Sequence, residues 1–218
     1  MCGRYAQFSK TTKVGKNLHL PEPTQNWKPR YNIAPGTWIP GIRHEGELNQ
    51  NLYDGFWWGF RPHWAGDTAP EPINAKAENL ESSRYFKGAF HHHRCLIPAD
   101  GWYEWKPVTG GKQPFFIHRV DREPLFFAGI WETRPDGMPC CAIITEPARS
   151  DLRDLHDRMP LVLDEDCLSA WLDPVLQDQR SIRGAIHRLD PDDLAFYPVT
   201  SKVNRSSYDG PDILESAI

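Results

Sequence analysis

The second residue of the chain is a cysteine, and this position could supply two nucleophiles. The sequence begins Met1, Cys2, Gly3, Arg4. Removal of an initiator methionine requires a small second residue, so we expect the mature chain to begin with Cys2. Its α-amino group, with a reference pKa of roughly 7.7–8.0, would then be partly uncharged near neutrality. A cationic neighbour such as Arg4 is expected to lower the pKa of the thiol.

An amine and a thiol on adjacent carbons react with an aldehyde in two steps. The amine forms an imine, and the thiol then closes a five-membered thiazolidine ring. The alternative interpretation of Cys2 is a small buried residue that follows an ordinary start codon.

Two titratable residues could move protons in such a reaction. Asp100 and Gly101 predict a turn, after which strand alternation puts Trp102 and Glu104 on one sheet face. A carboxyl group beside an indole in a closed pocket would have a raised pKa and could act as a general acid and base. His156 ends a short predicted helix and titrates near neutrality. The alternatives are a solvated edge-strand charge for Glu104 and a helix cap for His156.

Short β-rich runs separated by turn signals must position these residues. Gly110-Gly111 and residues 135–137 are typical of hairpin turns. Helices are predicted at residues 9–18, 151–156 (capped by Ser150), 165–172 and near 177–187. We therefore predict an α+β fold, a β-rich single domain over residues 1–218 with a barrel-like mixed sheet and peripheral helices. The predicted strands are residues 38–43, 52–60, 95–98, 102–106, 115–120, 125–131 and 141–145.

Composition excludes several classes of protein. The 218 residues contain no repeat, low-complexity stretch or Gly/Ser linker, and no apolar run suits a signal peptide or a membrane span, so a cytoplasmic protein is expected. The net charge of −4 limits any nucleic-acid surface to a local patch. Neither a GxGxxG nor a P-loop sequence occurs, which argues against a nucleotide cofactor. An odd number of cysteines without a CxxC pair argues against a disulfide framework and a zinc ribbon: Cys2, Cys95, Cys140, Cys141 and Cys167.

Two further features have competing interpretations. The nine tryptophans could stabilise the core or stack on unpaired bases. His91, His92 and His93 suggest a metal, but consecutive residues of a strand alternate in direction and cannot converge on one ion, so no metal site is predicted. A DNA-facing or solvated segment is the preferred interpretation of this run. Cys140 and Cys141 are expected to pack at the start of a strand.

Ten blocks of the sequence resemble the SRAP family of abasic-site-processing proteins. Several of these blocks are long and unusual in composition, which makes the resemblance specific, and they occur in family order. They are MCGRYAQF at the start, YNIAPGT at 31–37, FWWGFRPHW at 56–64, INAKAE at 73–78, RCLIPADGWYEWK at 94–106, QPFFI at 113–117, AGIWE at 128–132, IITEPA at 143–148, LHDRMPLVL at 155–163 and PVTSKVN at 198–204.

The resemblance implies a role for each candidate catalytic residue. Cys2 matches the nucleophile that forms a covalent thiazolidine cross-link with the ring-opened deoxyribose aldehyde of an abasic site in single-stranded DNA. Asn74 matches an asparagine beside this nucleophile. Glu104 would protonate the ring oxygen as the sugar opens, and His156 would assist imine chemistry and help to reverse the cross-link.

The resemblance also implies a DNA-binding surface. The expected partner is single-stranded DNA that contains abasic sites, bound by a monomer that would be nucleoid-associated when on DNA. At the Lys76 position the family more often has arginine, whose bidentate fork lysine lacks. The implied DNA contacts comprise phosphate-binding cations, a base-stacking indole and a hydroxyl group: Arg4, Lys76, Arg84, Arg158, Trp105 and Thr145.

Three other functions compete with lesion processing. Class II glutamine amidotransferases also begin with MCG, but their glutamine-binding signatures are absent here. A passive single-strand-binding module would use the same tryptophans without chemistry and would leave the terminal cysteine unexplained. A peptidase activity that removes residues ahead of Cys2 also stays open.

Overall fold

Two β-sheets dominate the computed structural model, which describes residues 2–14, 18, 20, 21, 23 and 25–217. The strands are β1 (Tyr5–Gln7), β2 (Arg30–Ile33), β3 (Trp38–Glu45), β4 (Gln50–Trp58), β5 (Asn74–Lys76), β6 (Arg94–Ala99), β7 (Gly101–Val108), β8 (Gly111–Arg119), β9 (Leu125–Thr133), β10 (Pro139–Pro147), β11 (Arg158–Pro160), β12 (Val162–Leu163) and β13 (Leu194–Pro198). The α-helices are α1 (Thr11–Val14), α2 (Lys87–His92), α3 (Leu168–Leu172) and α4 (Gln179–Ala185). The 3-10 helices are Ala77–Asn79, Ser150–Asp154, Glu165–Cys167, Pro191–Asp193, Ser201–Asn204 and Pro211–Leu214.

The larger sheet closes into a barrel. Its hydrogen bonds run from β10 to β4, β3, β6 and β9 and return to β10, a ring of five strands. The β10–β4 pair is parallel and the other four pairs are antiparallel, which makes the sheet mixed. Closure satisfies backbone groups that an open sheet would leave at its edges. Beyond the ring, β10 also pairs with β5 and β11.

Strand alternation divides the apolar side chains into an inner and an outer core. Trp58, Cys141 and Ile143 belong to the inner core, within the barrel. Cys140 and Ala142 alternate with them along β10 and belong to the outer core, which α2, α3 and α4 cover. A strand with both faces buried needs apolar residues at every position, and residues 140–144 of β10 meet that requirement.

The second sheet has the order β13-β8-β7-β1-β2 and is antiparallel throughout. On one face, Cys2, Tyr5 and Trp102 join the inner core of the barrel. On the other face, Tyr103 and Phe116 pack with the 3-10 helices near the C-terminus. The start of the chain is therefore enclosed between the two sheets.

The predicted fold class is confirmed, and all seven predicted strands are present as β3, β4, β6, β7, β8, β9 and β10. Both predicted hairpin turns form, with Gly110 at φ +88° and Gly137 at φ +83°. The helices predicted at 165–172 and 177–187 correspond to the 3-10 helix Glu165–Cys167 with α3, and to α4. Asp178 caps α4 by accepting a hydrogen bond from the backbone N–H of Ser181.

Two helix predictions need correction. The helix predicted at 151–156 is the 3-10 helix Ser150–Asp154, and Ser150 lies inside it, at φ +48°, instead of capping it. Arg149 occupies the cap position, without a side-chain hydrogen bond. The helix predicted at 9–18 is represented by α1, while residues 15–17 lie outside the described residues.

The three consecutive histidines lie at the end of α2 and not on a strand. His91 and His92 are helical and His93 caps the helix. Arg94 donates hydrogen bonds to the carbonyl oxygens of Phe90 and His91, which stabilises this helix end by a contact that local sequence patterns do not show. Among the described residues no group of three or more histidine, cysteine, aspartate or glutamate side chains is placed to hold a metal ion.

All five cysteines are free thiols and are buried, and Cys140 and Cys141 lie near the start of β10. Within the described part of the chain, no helix is long and apolar enough to cross a bilayer.

Gly101 allows β7 to approach its neighbours, and its replacement should destabilise the fold. A Cβ atom on Gly101 would lie 2.3 Å from the carbonyl oxygen of Ile117 and 2.4 Å from the ring of Phe116. We expect Gly101→Ala to lower the free energy of unfolding by about 1–3 kcal/mol, the usual cost of overpacking. Differential scanning calorimetry would show this as a lower Tm.

Gly88→Ala is the matched control, because a Cβ atom on Gly88 meets no atom within 4 Å. Gly88 lies in α2, where alanine is favoured over glycine by about 1 kcal/mol. This variant should keep or raise the Tm. Equal Tm values for Gly101→Ala and the parent would contradict the close approach of β7.

Candidate active site

Strand pairing places Glu104 next to Cys2. In the antiparallel pair of β1 and β7, Tyr5 lies opposite Trp102. The same register, continued toward the N-terminus, puts Glu104 opposite Gly3 and therefore one residue from Cys2. Cys2 is fully buried and Glu104 is 4% exposed. The carboxyl group and the thiol thus share an enclosed space between the two sheets.

The pKa of Glu104 is raised to about 7, mainly by burial and further by the negative charge of Asp157. Burial disfavours a charged carboxylate because the protein interior solvates it less well than water does. The increase predicted from the sequence is confirmed. A carboxyl group with this pKa can both give and accept a proton near neutral pH.

The pKa of the Cys2 thiol is raised, by burial first and then by the charge of Glu104. The expectation of a thiol pKa lowered by the Arg4 cation is wrong: from Arg4, only the backbone hydrogen bond acts in that direction, and burial outweighs it. Nη1 of Arg4 donates to Oδ1 of Asn32 and to the carbonyl oxygen of Val203, each at 2.8 Å, so the guanidinium is directed to the C-terminal segment. Desolvation dominates, and the thiol stays protonated near neutral pH.

Asn74 holds the backbone of Cys2. It lies on β5, opposite Ile143 of β10, and its Nδ2 donates to the carbonyl oxygen of Cys2 at 2.9 Å. Its Oδ1 is buried and accepts no hydrogen bond from any described residue. A buried acceptor of this kind favours a hydrogen-bond donor on a bound molecule.

His156 follows the 3-10 helix Ser150–Asp154 and precedes Asp157, whose charge acts on Glu104. Its Nδ1 lies 3.0 Å from the backbone nitrogen of Arg158 and 2.7 Å from Oδ1 of Asp157. The first contact requires an unprotonated Nδ1 and the second a protonated one. Burial lowers the pKa of His156, which favours the neutral ring with Nδ1 as acceptor and the proton on Nε2.

Two residues that were predicted to contact DNA, Arg158 and Thr145, are hydrogen-bonded to each other. Both Nη atoms of Arg158 contact the carboxylate of Glu78, at 2.5 and 3.0 Å. Nη2 also donates to the carbonyl oxygen of Thr145 at 2.6 Å and approaches its hydroxyl at 3.3 Å. Thr145 is fully buried, so a phosphate would reach its hydroxyl only after Arg158 moved. The hydrogen bond from Arg158 lowers the pKa of Glu78 to about 2.

The other predicted DNA contacts differ in accessibility. Lys76 and Arg84 are exposed. Trp105 is half-buried, and its Nε1 donates to Oδ1 of Asn204 at 2.7 Å. The guanidinium of Arg4 lies 6.0 Å from the centre of the Trp105 ring, on the central strand β7 of the second sheet.

Sequence reasoning missed Trp64, an exposed indole next to Arg84. Its side chain is 49% exposed, and the guanidinium of Arg84 lies 5.3 Å from its ring centre. An exposed indole beside a cation can stack on an unpaired base. The sequence feature that could have predicted its exposure is its position at the end of the FWWGFRPHW block. A proline and a histidine separate it from the apolar residues of the strand.

Comparison with known proteins identifies relatives over the whole chain. The family described as SOS response associated peptidase (SRAP) matches residues 1–206. Abasic site processing protein YoqW of Bacillus subtilis is 34% identical over 99% of this chain and 100% of its own length. Abasic site processing protein YedK of Escherichia coli is 34% identical over 99% of both chains.

A solved structure supports the fold. The crystal structure of a protein from Bacteroides thetaiotaomicron is 21% identical, covers 100% of both chains and superimposes with a TM-score of 0.86. The family match over residues 1–206 and the identity to YoqW and YedK show that this chain belongs to the SRAP family.

Proposed function

We propose that this protein processes abasic sites in single-stranded DNA by forming a thiazolidine cross-link between Cys2 and the sugar aldehyde. The curated relatives named as abasic site processing proteins align with 99% of the chain. The observation that carries the proposal is the pair of Glu104, with a pKa of about 7, and the buried Cys2 thiol on which its charge acts. A closed sugar needs an acid to open it and a nucleophile to capture the aldehyde, and this pair of residues supplies both.

The first step opens the sugar ring. Protonated Glu104 gives its proton to the ring oxygen, the bond from this oxygen to the anomeric carbon breaks, and the resulting Glu104 carboxylate takes the proton of the anomeric hydroxyl, which becomes the aldehyde. After loss of Met1, the α-amino group of Cys2 attacks this aldehyde carbon. Glu104 or His156 protonates the departing hydroxyl, water leaves, and the nitrogen returns a proton to the same group, so that a neutral imine remains.

The second step closes the thiazolidine ring. The sulfur of Cys2 bonds to the imine carbon, the π electrons move to nitrogen, and the thiol proton ends on that nitrogen. Because the thiol is neutral in its buried setting, bond formation and proton transfer occur together or through Glu104. Neutral His156, with its proton on Nε2, can reverse the same proton transfer and so allow slow release.

DNA binding would use the exposed cations near the site. Lys76 lies two residues from Asn74 on β5, and Arg84 with Trp64 forms an exposed cation–indole pair. These groups match a strand whose phosphates and bases are both accessible. Because Cys2 is enclosed, the lesion must leave any base stack to reach it, so single strands should react faster than intact duplex.

Cys2→Ala tests the requirement for two nucleophiles. The variant keeps the terminal amine and should still form an imine, but without a thiol the imine stays hydrolysable. We expect little heat-stable cross-link, a product trapped by borohydride, and some strand cleavage by β-elimination. Gel electrophoresis and intact mass measurement on DNA with one abasic site would detect each product.

Cys167→Ala is the control, because it removes another buried thiol, one that belongs to the outer core. It should form the stable cross-link at the parent rate. A stable, reductant-independent cross-link formed by Cys2→Ala as fast as by the parent would eliminate the thiazolidine.

Glu104→Gln tests the role of Glu104 as the general acid that opens the sugar ring. The amide cannot donate the ring-opening proton, so the rate should fall roughly a hundredfold near pH 7. The parent needs both the protonated acid and the neutral amine, so its rate should pass through a maximum near neutrality and decline on the alkaline side. In Glu104→Gln that alkaline decline should disappear, as single-turnover rates from pH 5 to 9 would show.

Thermal unfolding separates this role from a purely structural one. The folded-state pKa of Glu104 is raised, so the stability due to its protonated form is complete at acidic pH and is lost as the pH rises through about 7. Glu104→Gln should therefore be more stable than the parent at pH 9 and similar at pH 5. Glu123→Gln, at an exposed position, should change neither profile. If the rates of Glu104→Gln equalled those of the parent, Glu104 would not be the acid.

Lys76→Gln tests the DNA surface. Loss of one phosphate contact should weaken noncovalent binding of single-stranded DNA and reduce the slope of log Kd against log salt by about 0.7. Fluorescence anisotropy across a salt series would measure both. Lys13→Gln, which removes the same charge from α1 where Lys13 pairs with Glu123, should bind like the parent. Identical slopes for the two variants would exclude Lys76 from the DNA surface.

A further inference from the structure

A cavity of about 240 Å³ lies on the outer side of the barrel, away from the Cys2 thiol. Its floor is apolar and consists of buried side chains from the outer core, and its polar lining includes Glu146 of β10. The volume is below the roughly 300–1,000 Å³ that is usual for drug-sized ligands, so it suits a small flat ring system. The floor residues are Leu80, Phe90, Leu161 and Trp171.

Glu146 brings an unsatisfied acceptor to this cavity. The residue is 5% exposed. Its Oε2 accepts from Nε of Arg188 at 2.6 Å, but its Oε1 is buried and accepts no hydrogen bond from any described residue. Nε of Arg149 lies 3.4 Å from Oε1 and does not form a hydrogen bond with it. A buried carboxylate oxygen in this state favours a ligand that donates hydrogen bonds.

The charges at the rim favour a ligand that is itself anionic. Arg183 and Arg188 line the cavity and are exposed. Glu78, also in the lining, is neutralised by its bidentate contact with Arg158. Glu146 is likewise paired with Arg188, and no described carboxylate forms an ion pair with Arg183. The positive charge of Arg183 therefore remains uncompensated in the lining, which disfavours a cationic amine and favours a neutral ring attached to a phosphate.

We propose that this cavity binds a guanine nucleotide. A carboxylate is an acceptor only, and the N1–H and N2–H₂ groups of guanine are two adjacent donors on one edge. Adenine and cytosine place one donor beside an acceptor, and thymine and uracil place one donor between two acceptors. The base lies on the apolar floor, Glu146 accepts from its edge, and Arg183 and Arg188 contact the phosphate.

The cavity adjoins the surface assigned to DNA. Its lining includes Ala77 and Glu78, which follow Lys76, and Pro147, which follows Thr145 by two residues. The guanine nucleotide can therefore be a free mononucleotide or a residue of the bound strand that flanks the lesion. Binding of a guanine from the DNA strand rests on the proposed function, whereas binding of a free mononucleotide does not.

Binding of mononucleotides tests the cavity without DNA. Isothermal titration calorimetry with GMP should show one saturable site, at least tenfold tighter than for AMP or CMP. Glu146→Gln, which turns half of the acceptor pair into a donor, should weaken GMP binding by about 10- to 100-fold, the effect expected for hydrogen bonds to a charged group. No saturable GMP binding, or equal binding of GMP and AMP, would overturn the proposal.

A second pair of variants leaves the carboxylate in place. Ile186 lines the cavity and is half-buried, so Ile186→Trp should fill it and abolish GMP binding. Val175→Trp adds the same side chain at a position that is 82% exposed and outside the lining, and should bind GMP like the parent. Retained GMP binding by Ile186→Trp would place the nucleotide elsewhere and overturn the assignment.

An oligonucleotide series distinguishes the two sources. Oligothymidylate with one guanine at varied distance from an abasic site is compared with inosine, which lacks the N2 amino group, at the same positions. A guanine that tightens binding at one distance, with the gain lost in Glu146→Gln, identifies the DNA strand as the source. If GMP binds but no guanine position in the oligonucleotide tightens binding, the source is a free nucleotide. This conclusion holds even if no cross-link forms.

Discussion

The burial of Cys2 and Glu104 between the two sheets is the constraint on which the chemistry depends. The pairing of β1 with β7 encloses the start of the chain, and the closed barrel supplies the other wall. In this setting desolvation raises the pKa of both groups. The effect on the carboxyl group is useful, because it moves the titration to neutral pH. In the reaction that we propose, the raised thiol pKa is the reason why the amine attacks first and the thiol acts second.

The strand β10 organises the remainder of the site. Among the described strands it pairs with β4, β5, β9 and β11. A strand inside a simple open sheet pairs with only one neighbour on each side. Through β5 it places Asn74 against the carbonyl oxygen of Cys2, and through β11 it places Arg158 against Thr145. A closed ring fixes these neighbours in register, so side chains distant in sequence meet without long loops to hold them.

The sequence allowed prediction of the long elements and not of the short ones. The seven predicted strands have six to nine residues in the structure, enough for alternation and flanking turns to be visible. By contrast, β5 and β11 have three residues each and form only because β10 provides partners. Among the site residues, the raised pKa of Glu104 could be predicted from its neighbour Trp102. The contact between Arg4 and the distant Val203 could not, and neither could the complete burial of Cys2, which is the main reason why the thiol pKa is raised instead of lowered.

The ion pair of Arg158 with Glu78 shows how the site balances stability and access. Arg158 has 11% of its side chain exposed and Glu78 has 48%, so the pair lies at the boundary between the interior and solvent. A phosphate that approaches Arg158 must compete with the Glu78 carboxylate, which both Nη atoms already contact. This competition lowers the affinity of Arg158 for a phosphate. The same pair fixes the backbone that connects Asn74 to the 3-10 helix Ala77–Asn79, at the margin of the outer cavity. Arg158 therefore serves mainly to support the neighbouring strands. In the DNA complex that we propose, the exposed Lys76 and Arg84 are the better phosphate ligands.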